Sequence, residues 1–246
     1  MVLVYTRLNL GKPVFLKHKN LKIYDKHKMF KSQYNQDKFL EENVFKGYKN
    51  GFFMDIGAYD GVHINNTLYF EKTHNWTGVN VEPLETVYVK LVENRPTSIN
   101  LNCAVCNRDG TAQFIYNTGY TEMLSGLQEE YDPRHHARLN HEILQMGGST
   151  KVKTVPTKKI ETICSEYNIN HINYLSIDVE GAEFEVIKSI NFDKIFIDVI
   201  EFENNYPDVS ESIVKYLQSK NYAVICNGYD IIMIHRDSKF NSNFKA

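Results

Sequence analysis

Short apolar segments alternate with segments of helical periodicity along most of the chain, and no other feature of the sequence constrains the fold so strongly. The alternation predicts strands at 51–57, 78–82, 99–105, 172–178 and 195–201, with helices between them. Two further predicted strands, 222–226 and 231–235, flank Asn227-Gly228, which favours a tight hairpin turn. Strands are also predicted at 111–116 and 151–155. We therefore predict an α/β fold with a mostly parallel sheet, helices on both faces and a late antiparallel hairpin.

Two regions depart from this alternation. Residues 1–31 carry eight Lys and Arg side chains against one acid, Asp25, which predicts a basic N-terminal arm, either solvated or in contact with an anionic surface. Residues 117–150 are polar and glycine-rich, and helical periodicity begins only at Arg134, so we expect an acceptor-side loop or insert. Residues 32–240, which include a helix predicted over 32–45, are expected to form a single domain.

The composition argues against several classes of protein. A net charge of −2 and a pI of about 6.5 provide no overall positive field, so a nucleic-acid partner is not expected. No apolar run approaches the roughly 18 residues of a transmembrane helix, and the N-terminus shows no signal-peptide pattern. Of the four cysteines only Cys103 and Cys106 have metal-ligand spacing, so we expect reduced thiols in a cytoplasmic protein.

Glycines and acids follow the predicted strands, at the edge of a parallel sheet where ligands bind. The first strand ends at Asp55 and is followed by Gly57 and Gly61, and the second ends at Glu82. Glycines let a ligand approach the backbone closely, and an acid after the next strand suits ribose hydroxyls. The pattern favours a nucleoside cofactor without a pyrophosphate, such as S-adenosylmethionine, because neither G-x-G-x-x-G nor a P-loop occurs. Each acid, taken alone, could instead cap a helix.

The same residues carry a family resemblance. The relevant segments, in chain order, are Ser32–Asp37 (SQYNQD), Gly51–Gly61 (GFFMDIGAYDG), Val81-Glu82-Pro83, Asn102–Val105 (NCAV) and Leu175–Glu183 (LSIDVEGAE). With these segments the chain resembles the FkbM family of S-adenosylmethionine-dependent methyltransferases, in the branch with an N-terminal S-Q-x-x-Q-D element. The resemblance implies a Rossmann-like class I methyltransferase fold, with a seven-stranded, mostly parallel sheet whose last two strands form the hairpin.

The resemblance also implies a reaction and a cofactor site. The implied reaction is methyl transfer to oxygen, on a hydroxyl of a carbohydrate or glycoconjugate. The residues implied to surround the methionine part of the cofactor are Asp55, Gly57, Ala58 and Gly61. Glu82 would hold the ribose, Asn102, Cys103 and Ala104 would lie near adenine, and Gln33, Gln36 and Asp37 would close over the cofactor.

Candidates for the group that accepts the hydroxyl proton are Asp178, Glu180 and Glu183, all after the fourth predicted strand. We expect Asp178 and Glu180 to point to opposite sides of the chain. Alternatively, a divalent Mg²⁺ or Mn²⁺ ion could activate the hydroxyl, held by Asp178, Glu180 or Glu201 together with a histidine, with Asp178 and Glu201 as the candidate ligands. The three histidines of the insert, His135, His136 and His141, are possible bases or metal ligands, but a solvated surface position is the favoured interpretation for each of them.

Three other functions remain open at this stage. An RNA or cap ribose 2′-O-methyltransferase would use the same fold, but the two lysines that such an enzyme needs have no convincing place here. An NAD-dependent oxidoreductase lacks the glycine spacing. A non-catalytic binding protein on the same scaffold is disfavoured because Asp55, Gly57 and Glu82 are all present. The small-molecule or glycan acceptor and the oligomeric state do not follow from the sequence.

Overall fold

A computed structural model describes residues 30–244, so the predicted basic arm lies outside the described residues except for Phe30 and Lys31. Eleven strands occur within residues 30–244: β1 (Phe52–Ile56), β2 (Thr77–Val81), β3 (Ile99–Leu101), β4 (Ala104–Val105), β5 (Gly110–Thr118), β6 (Gly126–Leu127), β7 (Ser149–Lys158), β8 (His171–Ile177), β9 (Phe196–Glu203), β10 (Tyr222–Asn227) and β11 (Asp230–His235). The α-helices in the same residues are α1 (Gln36–Leu40), α2 (Leu68–His74), α3 (Glu85–Asn94), α4 (Pro133–Met146), α5 (Ile160–Glu166), α6 (Glu183–Lys188) and α7 (Pro207–Ser219).

Seven of these strands form the main sheet, in the order β10-β11-β9-β8-β1-β2-β3. Neighbours from β9 to β3 pair in parallel, and β11 is antiparallel to both β9 and β10. The first strand, β1, lies in the middle of the sheet, and β2 and β3 follow on one side of it. The chain then crosses over to β8, which pairs with the other side of β1. The predicted seven-stranded sheet and its terminal hairpin are therefore confirmed.

Helices cover both faces of the main sheet because adjacent side chains of a strand point to opposite faces. On β1, Phe53 packs into an aromatic cluster with α2, the segment around α1 and the C-terminal Phe240. Its neighbour Met54 packs into the larger aliphatic cluster with α5, α6 and α7. The parallel strands are buried on both faces, which explains why they are continuously apolar in the sequence.

A second sheet lies beside the main one, and the sequence did not predict it. Its strand order is β4-β7-β5-β6, and β5 pairs antiparallel with β7 from Gly110↔Thr157 to Thr118↔Ser149. The strands predicted at 111–116 and 151–155 therefore exist but pair with each other, at a distance in sequence that periodicity cannot reveal. The segment 117–150 is not a loop, since it contributes β6, α4 and the ends of β5 and β7.

The N-terminal helix begins later than predicted. The Asp37 carboxylate accepts the backbone N–H groups of Lys31 and Ser32 and the Ser32 hydroxyl, which folds residues 31–35 into a turn. Asn35 then takes a left-handed conformation (φ 64°), and α1 starts at Gln36 and continues as a π-helical turn to Phe45. No helix within residues 30–244 combines the length and apolar character that crossing a membrane requires.

Candidate functional site

A cavity of about 610 Å³ opens at the carboxyl edge of the main sheet. It runs along the ends of β3, β2, β1, β8 and β9, and the second sheet forms its other wall. Its lining includes Gln33, Tyr34, Gly57, Tyr59, Glu82, Leu84, Cys103, Ala104, Phe114, Glu122, Leu127, Arg138, Asp178, Glu180, Glu203, Asn204, Asn205, Tyr229 and Asp230. The strand order places these residues along one edge, so the cavity occupies the position at which open α/β sheets bind ligands.

The turn after β1 forms the centre of the cavity floor. The N–H groups of Gly57 and Ala58 both donate to the Val81 carbonyl at 3.0 and 3.1 Å, which bends the chain sharply over the end of β2. Gly57 has φ +84°, and a Cβ atom there would lie 1.8 Å from the Asp178 carbonyl oxygen. Only glycine fits between β1 and β8 at this point.

Asp55 lies behind this turn rather than in the cavity. Its carboxylate accepts from Asn65 Nδ2 at 2.9 Å and from the Thr67 hydroxyl at 2.8 Å. Burial raises the pKa of Asp55, and the nearby Arg95 guanidinium opposes that rise. Arg95 is completely buried, forms an ion pair with Glu71 at 2.6 Å, and donates to the oxygens of Gly61, Asn65 and Thr67. Asp55 and Arg95 thus order the loop that carries Gly57.

Glu82 is a buried carboxylate whose local partners are backbone groups. One oxygen accepts the Tyr59 N–H at 3.1 Å, and the other accepts the Leu84 N–H at 2.8 Å. Burial raises the pKa of Glu82 to about 7, while these two donors oppose the rise. Each carboxylate oxygen can accept a second hydrogen bond, so Glu82 can receive two hydroxyl groups from the cavity.

The wall beyond Glu82 is apolar. Leu84, Ala104, Phe114 and Leu127 pack together in one cluster that joins the end of β3 to the second sheet. Cys103 also lines this part of the cavity, and burial raises its thiol pKa to about 11, so it is a neutral, apolar surface at pH 7. This end of the cavity can hold a flat, uncharged ring.

The opposite end of the cavity is acidic. The carboxylates of Asp178, Glu180 and Glu203 lie within 4.8 Å of one another. Burial and the carboxylates of Asp230 and Glu183 raise the pKa of Asp178 to about 7. The expectation that Asp178 and Glu180 point apart is wrong, because residues two apart in an extended segment share a side and Glu180 then turns into a left-handed conformation (φ 55°).

Comparison with known proteins identifies the family. The methyltransferase FkbM domain matches residues 55–224, more than half of the chain. This chain belongs to the FkbM methyltransferase family. A search of curated proteins finds no match.

Two solved structures have a backbone course similar to that of this chain. A methyltransferase FkbM from Methylobacillus flagellatus has 10% identity and a TM-score of 0.46, over 76% of this chain and 44% of that one. The present chain thus spans less than half the length of that protein. A precorrin-6y C5,15-methyltransferase from Geobacter metallireducens has 10% identity and a TM-score of 0.45, over 84% of this chain and 89% of the other.

In this member of the FkbM methyltransferase family, several of the predicted site residues lie in the cavity and others brace it. Gly57, Glu82, Cys103, Ala104, Asp178, Glu180 and Gln33 line the cavity. Asn102 instead donates to the carbonyls of Glu82 and Pro83, and Gly61 packs against Arg95. Ala58 is buried in the turn, and Asp37 holds the turn before α1. Gln36 does not line this cavity but donates to Asp230, which does.

Two predicted acids have other partners. Glu183 accepts the Gly181 N–H at 3.0 Å, so its carboxylate holds the turn that leads into α6. Glu201 accepts from Asn66 Nδ2 at 3.1 Å and from the Tyr174 hydroxyl at 2.8 Å. Among residues 30–244, the acids grouped with Asp178 are Glu180 and Glu203, and Glu201 is not one of them. Of the candidate metal ligands, Asp178 and Glu180 therefore lie together, whereas Glu201 is not grouped with them.

Sequence reasoning missed the residues that reach the cavity from distant segments. Tyr34 and Tyr229 stack with ring centroids 4.1 Å apart at its mouth, and Tyr59 donates to Glu122 across it. His135 was expected to be solvated but is 1% exposed and lies beside Glu180. Tyr229 could have been found, because the Asn227-Gly228 turn must return at the carboxyl edge. The insert residues carry no comparable signal.

Proposed function

We propose that this FkbM methyltransferase uses S-adenosylmethionine to methylate a hydroxyl group of a carbohydrate or glycoconjugate. The observation that carries the proposal is the arrangement of one cavity. Glu82 and an apolar wall lie at one end, Gly57 lies at the centre, and grouped carboxylates lie at the other end.

The residues present suit this methyl donor. Glu82 has two free acceptor positions for ribose hydroxyls, and the wall formed by Ala104, Phe114 and Leu127 suits an adenine ring. The turn at Gly57 lines the cavity between its two ends. The donor supplies a methyl group already activated by a positive sulfonium, and the carboxylate of Asp178 near this turn favours positive charge. The main task of the protein is then to align donor and acceptor.

The mouth of the cavity suits a sugar. The stacked rings of Tyr34 and Tyr229 are 45% and 71% exposed and offer an aromatic surface to the apolar face of a pyranose. The amides of Gln33, Asn204 and Asn205 also line this region and can both donate to and accept from hydroxyl groups. An amphipathic acceptor with many hydroxyls matches this combination of surfaces.

Asp178 and Glu180 are the candidate proton acceptors for the reacting hydroxyl. Both line the cavity, whereas the Glu183 carboxylate is engaged at the start of α6. The pKa of Asp178 is about 7, and burial together with Asp178 raises the pKa of Glu180 as well. Carboxylates with raised pKa values are effective bases near neutral pH. The same acids disfavour a ribose acceptor in RNA, because they repel its phosphates.

The first test is calorimetric titration with S-adenosylmethionine and S-adenosylhomocysteine, with and without Mg²⁺. We expect micromolar affinity for both in wild-type protein and in Glu85→Gln, an exposed control on α3. Glu82→Gln should bind at least about tenfold more weakly, because it turns one acceptor oxygen into a donor. Transfer of a tritiated methyl group to a panel of mono- and oligosaccharides, with RNA as the comparison, then tests the acceptor. Failure of wild-type protein to bind either nucleoside would contradict the proposal and favour a non-catalytic scaffold.

A further inference from the structure

Behind the acidic end of the cavity, the helix α4 places the buried side chain of His135 beside Glu180. His135 is 1% exposed, and its Nδ1 lies 3.5 Å from Glu180 Oε2. Neither ring nitrogen of His135 has a hydrogen-bond partner within residues 30–244, and neither does Glu180 Oε2. Buried polar atoms without partners are rare, and three in direct proximity indicate a pair that functions together.

The backbone at Glu180 supports this interpretation. Glu180 adopts φ 55°, a left-handed conformation that disfavours a residue with a side chain. Tyr59 and Ile64, which also line the cavity, share this conformation with φ of 50° and 48°. Unfavourable backbone conformations persist where the surroundings hold them, and they concentrate at functional sites. The surroundings therefore hold the backbone of Glu180 at the edge of the cavity that its side chain lines.

We propose that His135 is the positioning residue that holds the Glu180 carboxylate as proton acceptor for the methylated hydroxyl. This inference rests on the proposed function. His135 donates from Nδ1 to Glu180 Oε2, and the other carboxylate oxygen faces the acceptor. As the acceptor O–H bond breaks, its proton passes to Glu180. The oxygen electron pair forms the bond to the methyl carbon, and the electrons of the carbon–sulfur bond return to sulfur.

The charges around the pair favour this assignment of roles. Burial lowers the pKa of His135, so its ring is neutral at pH 7 and acts as a donor rather than as a second base. The groups that face His135 are the Leu124 backbone carbonyl, which raises its pKa, and Arg138, His136 and Glu142 on its own helix. The Tyr131 ring centroid lies 4.4 Å from that of His135, and Glu180 lies across the gap. Glu180 in turn faces Asp178, Glu183, Glu203, Arg138 and Glu142. Burial raises the pKa of Glu180, which favours uptake of a proton near neutral pH.

The pairing can be tested without an acceptor, by NMR of the His135 ring nitrogens in the full-length protein near pH 7. A neutral ring that donates from Nδ1 to Glu180 should carry its proton on Nδ1, and the nitrogen-15 shifts of the ring identify this tautomer. In Glu180→Leu the preference for the Nδ1 proton should be lost with its acceptor, whereas Glu142→Gln, the control on the same helix, should keep it. A wild-type ring protonated on Nε2, or an unchanged tautomer in Glu180→Leu, would overturn the proposal.

The catalytic role is tested on the acceptor found in the methyl-transfer panel. His135→Leu should lower kcat by about a hundredfold, the effect of a misplaced catalytic group, with unchanged affinity for S-adenosylhomocysteine. His135→Asn places an amide donor near the Nδ1 position and should recover part of kcat. His136→Leu, at an exposed position of α4, should behave as wild type. Equal kcat in His135→Leu and wild type, or loss of nucleoside binding in His135→Leu, would overturn the proposal. Failure of wild-type protein to bind the nucleoside would instead refute the proposed function and leave the measured pairing intact.

Discussion

The turn at Gly57 permits a quantitative prediction, because the structure also contains a matched control. In Gly57→Ala the new Cβ atom would lie 1.8 Å from the Asp178 carbonyl oxygen, so the gap must open by about 1.6 Å to reach the 3.4 Å of an ordinary contact. Gly47 has nearly the same backbone conformation, with φ +80° against +84°, but a Cβ atom there meets no other atom within 4 Å. The two substitutions therefore differ mainly in the clash.

The expected loss of stability follows from three contributions. A left-handed alanine costs about 1 kcal/mol at either position. At Gly57 the displacement also threatens the hydrogen bond from Asp178 N–H to the Ile56 carbonyl (2.9 Å), which is worth about 1 kcal/mol. Overpacking between two buried strands adds about 1–3 kcal/mol. We expect Gly57→Ala to lose about 3–5 kcal/mol in the free energy of unfolding and Gly47→Ala about 1 kcal/mol.

Guanidinium denaturation of wild-type and both variants measures these losses, provided that the slopes agree. Calorimetry with S-adenosylhomocysteine then separates fold from function, since Gly47→Ala should bind as wild type and folded Gly57→Ala should bind far more weakly. Equal stability losses in the two variants would refute the packing argument. Normal nucleoside affinity in a destabilised Gly57→Ala would refute the placement of the donor at this turn.

Three further predictions concern charge and the acceptor. The pKa values of Glu82 and Asp178 are raised to about 7 in the folded protein, so stability should fall as pH rises from about 4.5 to 7. Melting temperatures of ligand-free protein should follow this trend, and a rise would contradict it. Arg95→Met removes the buried guanidinium from Glu71, which then keeps the half-exposed Lys72 and the Ser98 hydroxyl, and should lower the unfolding free energy by about 3–5 kcal/mol, with partial recovery when Glu71→Leu is added. Tyr229→Ala should raise the KM for a sugar acceptor at least about tenfold, while nucleoside affinity measured by calorimetry stays unchanged.

Local sequence patterns determined the main sheet of this protein. Periodicity distinguishes strands from helices, and parallel strands linked by helices place every strand end at one edge. Gly57, Glu82 and Asp178 could therefore be assigned to that edge from the sequence. These inferences succeed because each depends on chemistry within a few residues of a strand end.

Only the tertiary structure decided which acids and which distant segments meet. Glu201 and Glu203 are two residues apart on β9, yet Glu201 lies within the sheet, where Asn66 and Tyr174 use its oxygens, while Glu203 reaches the cavity at the strand end. The approach of His135 to Glu180 depends on how the second sheet packs against the first. Such contacts join segments far apart in sequence, and short-range periodicity and spacing carry no information about them.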